Sequence, residues 1–249
     1  MHCDESDDPL SRHIETLAFE TQRLGLQGRV TGSHCTSMHS MDNYYVSKLL
    51  PLIAESGVSV IANPLINITL QGRHDTYPKR RGMTRVPELL AAGVNVAFGH
   101  DCVMDPWYPM GSGDMLEVAH MGLHVAQMTS QAGIRDAFDA VTTRAARAMG
   151  LADYGLEPGK PASFVLLQAR DVSEAIRLRA PRLKVWRAGR LLASQPGLIL
   201  GNPLLSSTWG IALLGEEVNG GFALLGTYLF FSACITGACA VFFEAMLTE

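Results

Sequence analysis

A chain of 249 residues, 47% hydrophobic and 18% charged, has the composition of a globular protein of one or two domains, which excludes a disordered or fibrous chain. All 20 Lys and Arg lie at or before Arg190, whereas four of the 24 acids (Glu216, Glu217, Glu244, Glu249) lie beyond it. Residues 1–190 are therefore neutral, with no basic stripe for a nucleic acid to follow, and the remainder carries the whole net charge of −4.

In chain order, His2-Cys3-Asp4-Glu5 opens the sequence, and residues 9–27 have the spacing of an amphipathic helix through Ile14, Leu17, Leu24 and Leu26. Residues 29–32 read as a short strand delivering Ser33-His34, and residues 40–56 as a second helix. Residues 58–62 are a strand stopped by Asn63-Pro64, and residues 63–83 a long polar loop. A short helix over 86–92 precedes a strand over 94–98 that delivers Gly99-His100-Asp101, and two helices follow over 113–129 and 133–149. Strands alternating with helices imply a parallel sheet joined by crossover helices.

Residues 151–195 change character. A turn at Pro158-Gly159-Lys160-Pro161, a strand over 162–167 and a hairpin over 185–192 turning at Ala188-Gly189 predict a small β appendage. Beyond it, 196–249 is apolar and Gly-rich, and 221–243 is 23 residues without a charge. At ~1.5 Å per residue a helix of that length spans about 34 Å, enough to cross a bilayer. This makes 221–243 a candidate membrane span. The placement of all the basic residues before it favours a cytoplasmic body. Five cysteines, an odd number with no CxxC pair, also fit a reducing cytoplasm, and no basic-then-apolar pattern of a signal peptide opens the chain.

The three strand-end signals carry the chemistry. In an α/β barrel the carboxyl ends of the strands converge on one mouth, so His2, Glu5, His34 and Asp101 are expected to meet there. An ion that activates water needs imidazole or carboxylate ligands, which suits His2 and Asp101. Glu5 suits proton transfer, and His34 a hydrogen-bonding or electrostatic role. The bland alternative, surface or satisfied core histidines, applies to each of them taken singly. Glu117, His120 and His124 share a helix face and could imitate a metal site, although a polar stripe explains them better. His13, His39 and His74 read as surface residues, Lys79-Arg80-Arg81 as a solvated loop, and Cys35 as a small buried residue.

HCDE, TGSH followed by MHS, NPLINITLQGRHDTYPKRRG and FGHDCVMDPWYP together resemble the bacterial cytosine deaminases of the amidohydrolase superfamily, over about residues 2–195. The resemblance implies a (β/α)8 barrel with a small β-sandwich, one divalent metal (iron or zinc), and hydrolysis of cytosine to uracil and ammonia. It assigns His2 and Asp101 to the metal, Glu5 to proton transfer onto the pyrimidine ring nitrogen, and His34 to the attacking hydroxide or the developing alkoxide. Asp101 also accepts the water's proton, and Trp107 lines the base pocket. Cys102 stands where the family usually has a second, substrate-contacting aspartate. The family's leading His-x-His has no counterpart, since no HxH occurs in this chain.

The expected architecture is thus a partial TIM-type barrel running from the end of strand five to strand eight (1–150), a remnant of the small β domain (151–195) and a non-family tail (196–249). Two ligands hold a divalent ion weakly compared with four, so a C-terminal piece of a deaminase should turn over poorly alone. The alternatives are an amidohydrolase acting on another aminated heterocycle, and a non-catalytic, membrane-tethered barrel fragment. A homo-oligomer or a complementing N-terminal half are the partners such a piece would need.

Overall fold

A computed structural model describes residues 1–194, so the tail and its candidate span 221–243 lie outside the described residues. Among the described residues, no helix is long and apolar enough to cross a membrane.

Four parallel strands form the main sheet in the order β1 (His2–Cys3), β2 (Thr31–His34), β3 (Ser59–Ala62) and β4 (Val96–Phe98). Sequence neighbours are therefore neighbours in the sheet, joined by α1 (His13–Arg23), α2 (Asn43–Ser56), and the pair α3 (Pro64–Leu70) and α4 (Val86–Ala91). That succession of β/α units is consistent with the wall of an amidohydrolase TIM-type barrel. Register sets the faces. Gly32, Val60 and Val96 stand in one row, with Ala62 beside Phe98 in another, and all are buried under the helices. Ile14, Leu49, Ile53 and Leu89 meet them there. Each fully buried Val, Leu or Ile contributes about 1.5–3 kcal/mol, so this layer dominates the fold's stability. Ser33 and Ile61, on the opposite row, are only half-buried.

After β4 come α5 (Met115–Val125), α6 (Gln131–Ala140) and α7 (Thr143–Ala148). The helix expected over 133–149 is broken in two, because Thr142 leaves helical geometry (φ −130°, ψ −97°) and its hydroxyl turns back to the Phe138 carbonyl at 2.7 Å. The loop expected over 63–83 begins with a helix instead. Pro64 is its first residue, where a missing N–H costs nothing and the fixed φ favours the turn.

The second sheet is antiparallel, β5 (Phe164–Leu167), β6 (Arg182–Arg187), β7 (Arg190–Ser194). Its hairpin turns at Ala188 (φ 49°) and Gly189 (φ 77°), the pair of positive φ values that a two-residue turn of matching twist requires. Between β5 and β6 lies a helix the sequence reading missed, α8 (Val172–Leu178), capped by Asp171, whose side chain accepts from the Glu174 N–H. Ile176 of α8 is buried in the same core as α5 and α6. A two-pronged ion pair from Arg182 to Asp114 (Nη1 to Oδ2 2.7 Å) ties the small sheet to the start of α5.

Candidate active site

The strands hand their polar residues to one place. Asp4 (φ 51°), His34 (φ 75°), Cys35 (φ 50°) and Asp101 (φ 65°) all adopt left-handed backbone at or just past a strand's carboxyl end. Each such residue costs of order 1–3 kcal/mol, and conformations of this kind persist where surrounding structure imposes them, often at functional sites. The Asp4 carboxylate supplies part of that structure. It accepts from the backbone N–H groups of His13 (2.9 Å) and Ile14 (2.8 Å) and from the Ser11 hydroxyl (2.8 Å). This caps α1 and locks the turn that carries Glu5. Burial alone would raise its pKa, but these donors outweigh it and hold the carboxyl below its ordinary value.

Within the cluster, His2 Nδ1 lies 3.3 Å from Glu5 Oε2 and 2.9 Å from His34 Nε2, and the two imidazoles stack with centroids 4.6 Å apart. Glu5 Oε1 is 3.3 Å from His34 Nδ1, and Asp101 Oδ2 is 3.8 Å from His34 Nε2. His34 is the hub, with 1% of its side chain exposed, whereas 74% of the His2 side chain is open to solvent. Burial depresses the His34 pKa against the opposing pull of Glu5 and then Asp101, and nearby His2 adds to the depression. The shift favours the neutral imidazole.

One potential ligand atom from each of His2, Glu5 and His34 lies within 4.8 Å of the others. Imidazole and carboxylate donors of this kind suit zinc or ferrous iron. Asp101 adjoins the group through His34.

The structure thus brings together His2, Glu5, His34 and Asp101. Cys102 is half-buried beside them, and its thiol is directed to the Asp105 carboxylate. Burial, that hydrogen bond and the charges of Asp101, Asp105 and Glu5 push its pKa up to about 12, so it remains a protonated thiol. Trp107 stands apart, 65% exposed on the loop after β4, with its backbone N–H on Asp105 Oδ1 at 3.0 Å. His100, adjacent to Asp101, is a loop clamp. Its Nδ1 faces the Cys102 carbonyl (3.0 Å) and its Nε2 takes the Gly113 N–H (3.2 Å).

Two residues of the site escaped the sequence reading. Asn63 and Asn67 each direct a side-chain nitrogen at His34 Nδ1, at 3.1 and 3.0 Å. Their four-residue spacing at the start of a helix was the available signal, hidden because 63–83 reads as loop. His39, expected at the surface, has a side chain only 6% exposed. It bridges Asp7 (2.9 Å) and the Gly82 N–H (3.1 Å). Arg80, expected in a solvated triplet, is paired with Asp75 and donates to the Asp7 carbonyl. Glu117, His120 and His124 form no metal-like group among the described residues. His120 and His124 bond backbone carbonyls of Ile176 and His120, as a polar stripe would.

A parallel α/β sheet with imidazoles and carboxylates gathered at its strand ends has the layout of barrel hydrolases. Residues 1–193 match the model of the Amidohydrolase family, and the chain belongs to that family. It is 33% identical over 194 residues to a pterin deaminase of Rhizobium rhizogenes, covering 77% of this chain and 44% of that protein. It is 28% identical to the N-isopropylammelide isopropyl amidohydrolase of a Pseudomonas species, covering 75% of this chain and 43% of that one. Among solved structures it resembles 5-methylcytosine deaminase from Klebsiella pneumoniae liganded with 5-fluorocytosine, with a TM-score of 0.76 and 45% identity over 78% of this chain and 47% of that one. The chain thus spans less than half the length of the relatives it matches.

Proposed function

We propose that this chain carries the C-terminal part of the active site of a metal-dependent hydrolytic deaminase whose substrate is cytosine or a close analogue. The reaction is cytosine plus water to uracil plus ammonia. The observation that carries the reading is the convergence of His2, Glu5, His34 and Asp101 within hydrogen-bonding and ion-pair distances at the ends of parallel strands. The 45% identity to a protein described as a 5-methylcytosine deaminase supports the choice of base.

A divalent ion, iron or zinc, would be held by His2 and Asp101, and when bound it supplies the Lewis acidity that makes water nucleophilic near pH 7. The chain's own groups do the rest. Asp101 takes the proton of the attacking water, and Glu5 delivers a proton to the ring nitrogen next to the amine-bearing carbon. His34, neutral and buried, hydrogen-bonds the oxygen that becomes the product's carbonyl. Trp107 and Cys102 sit on the loop that follows Asp101 and are the candidates to line the base, Trp107 having to fold in from its exposed position to reach it. A protonated thiol at Cys102 is a weak hydrogen-bond partner compared with a carboxylate, which loosens selection of the pyrimidine.

That weakness favours a second reading on the same chemistry, an aminated heterocycle other than cytosine, and the pterin deaminase relative names one class. Residues 1–150 are assigned to the barrel and 151–195 to its small β appendage. A complementing N-terminal half would supply the remaining ligands, and a non-catalytic fragment is the outcome to exclude.

The test is iron and zinc content together with ammonia release from cytosine, 5-methylcytosine and pterin, for the purified chain alone and co-expressed with a family N-terminal half. The proposal expects turnover on co-expression and greatest turnover with the pyrimidines. Metal-free protein without turnover in either setting would contradict it.

A further inference from the structure

We infer that Asn67, assisted by Asn63, is a positioning residue that fixes His34 as the neutral tautomer carrying its proton on Nε2. The argument begins with an amide whose orientation is decided locally. Asn67 Oδ1 accepts the backbone N–H of Asn63 at 3.3 Å, so its Nδ2 is the atom that faces His34 Nδ1 at 3.0 Å. Reversing the amide would set an NH2 group against an N–H inside a site where Asn67 is fully buried, leaving both donors without a partner. Asn63 adds a second donor to the same ring nitrogen at 3.1 Å while also reaching Ser33 Oγ at 3.0 Å.

The other side of the ring faces His2 and, further off, the Asp101 carboxylate. His2 Nδ1 is 2.9 Å from His34 Nε2, and Asp101 Oδ2 is 3.8 Å away. Glu5 Oε1, 3.3 Å from Nδ1, favours the opposite tautomer but is more distant than either amide. A proton on Nδ1 would point at two NH2 groups, whereas a proton on Nε2 points toward the Asp101 carboxylate and toward His2 Nδ1, which accepts when its own proton sits on Nε2. In neutral imidazole one nitrogen donates and the other accepts, so the arrangement selects Nε2–H.

The consequence deepens the proposed deaminase site and depends on that reading only for its catalytic meaning. With Nδ1 filled by the asparagines and Nε2 protonated, His34 has no lone pair for an ion. Although His2, Glu5 and His34 are close enough to ligate together, His34 is set as a hydrogen-bond donor, aimed at whatever oxygen lies between His2 and Asp101.

Long-range ¹⁵N–¹H correlation spectra of the full 249-residue chain at neutral pH read the tautomer directly. The expected His34 pattern has an unprotonated Nδ1 and a protonated Nε2. Asn67→Asp offers only acceptors to Nδ1 and should draw a proton onto it, a change that a merely structural role for Asn67 does not produce. Asn63→Ala, which keeps one donor, should preserve the wild-type pattern. A wild-type His34 protonated on Nδ1, or a folded Asn67→Asp chain still protonated on Nε2 alone, overturns the inference. Should Asn67→Asp fail to fold, the wild-type spectrum decides by itself. Since the readout is the ring nitrogens, a chain with no deaminase turnover leaves this result standing, and an active chain with the wrong tautomer sinks this inference alone.

Discussion

Gly99 lies so close to Asn63 that a Cβ on it would stand 2.3 Å from Asn63 Oδ1. The glycine directly follows β4, and Asn63 holds His34, so the close approach links the last strand of the main sheet to the buried imidazole. Its φ lies outside the left-handed region, which leaves contact as the constraint. Gly99→Ala should therefore displace Asn63 and destabilise the chain by about 2 kcal/mol, within the range for overpacking a buried site. Chemical denaturation measures the loss. An unchanged midpoint would mean that the two strand ends shift apart freely.

Asp4 is the buried acid that fixes the loop bearing Glu5. Asp4→Ala removes acceptors for two backbone N–H groups at the start of α1 and should cost about 2 kcal/mol, the upper end for loss of a helix cap. Asp4→Asn keeps one acceptor and should lose less. Equal losses in the two variants would contradict this, showing that one acceptor oxygen does not hold the helix start.

The Asp114–Arg182 pair gives a pH dependence with a defined sign. Burial raises the Asp114 pKa, but Arg182 and the Leu116 N–H outweigh it, and the folded value lies below the ordinary carboxylate one. The pair's contribution is therefore fully present above the unfolded carboxylate pKa of about 4 and disappears as pH falls through the depressed folded value. Thermal melts from pH 7 downward should show Asp114→Asn converging on the wild type at low pH. A constant difference between the two at every pH contradicts the assignment.

Zinc should stabilise the chain by mass action, about 2.7 kcal/mol when free metal exceeds Kd a hundredfold. His2→Ala should abolish most of that gain while leaving the metal-free melting temperature nearly unchanged, because the His2 side chain is mostly exposed. Zinc stabilisation that survives His2→Ala would place the ion elsewhere.

The β/α rhythm was legible because β-branched runs such as 58–62 stop at Asn63-Pro64 and at Gly99, and because the intervening segments have helical spacing. The same reading treated Pro64 as a breaker, although it starts α3, and so lost the face that presents Asn67 to His34. The cap Asp171 with Glu174 three residues on was a readable start for α8 that was passed over. His39 could not be recovered, since its partners Asp7 and Gly82 come from distant segments that only the sheet brings together. The grouping of His2, Glu5, His34 and Asp101 was legible because each lies at or just beyond the end of a strand. Trp107 was placed by resemblance, and its exposure here has no counterpart in the sequence pattern.

The most direct test of the account is ammonia release from cytosine by the iron- or zinc-supplied chain, co-expressed with a family N-terminal half bearing a His-x-His, compared with its Glu5→Gln variant. Loss of a positioned proton carrier costs about 10²- to 10⁴-fold. The account predicts a fall of that size in kcat with metal content unchanged. Turnover that is equal in the two proteins would contradict it.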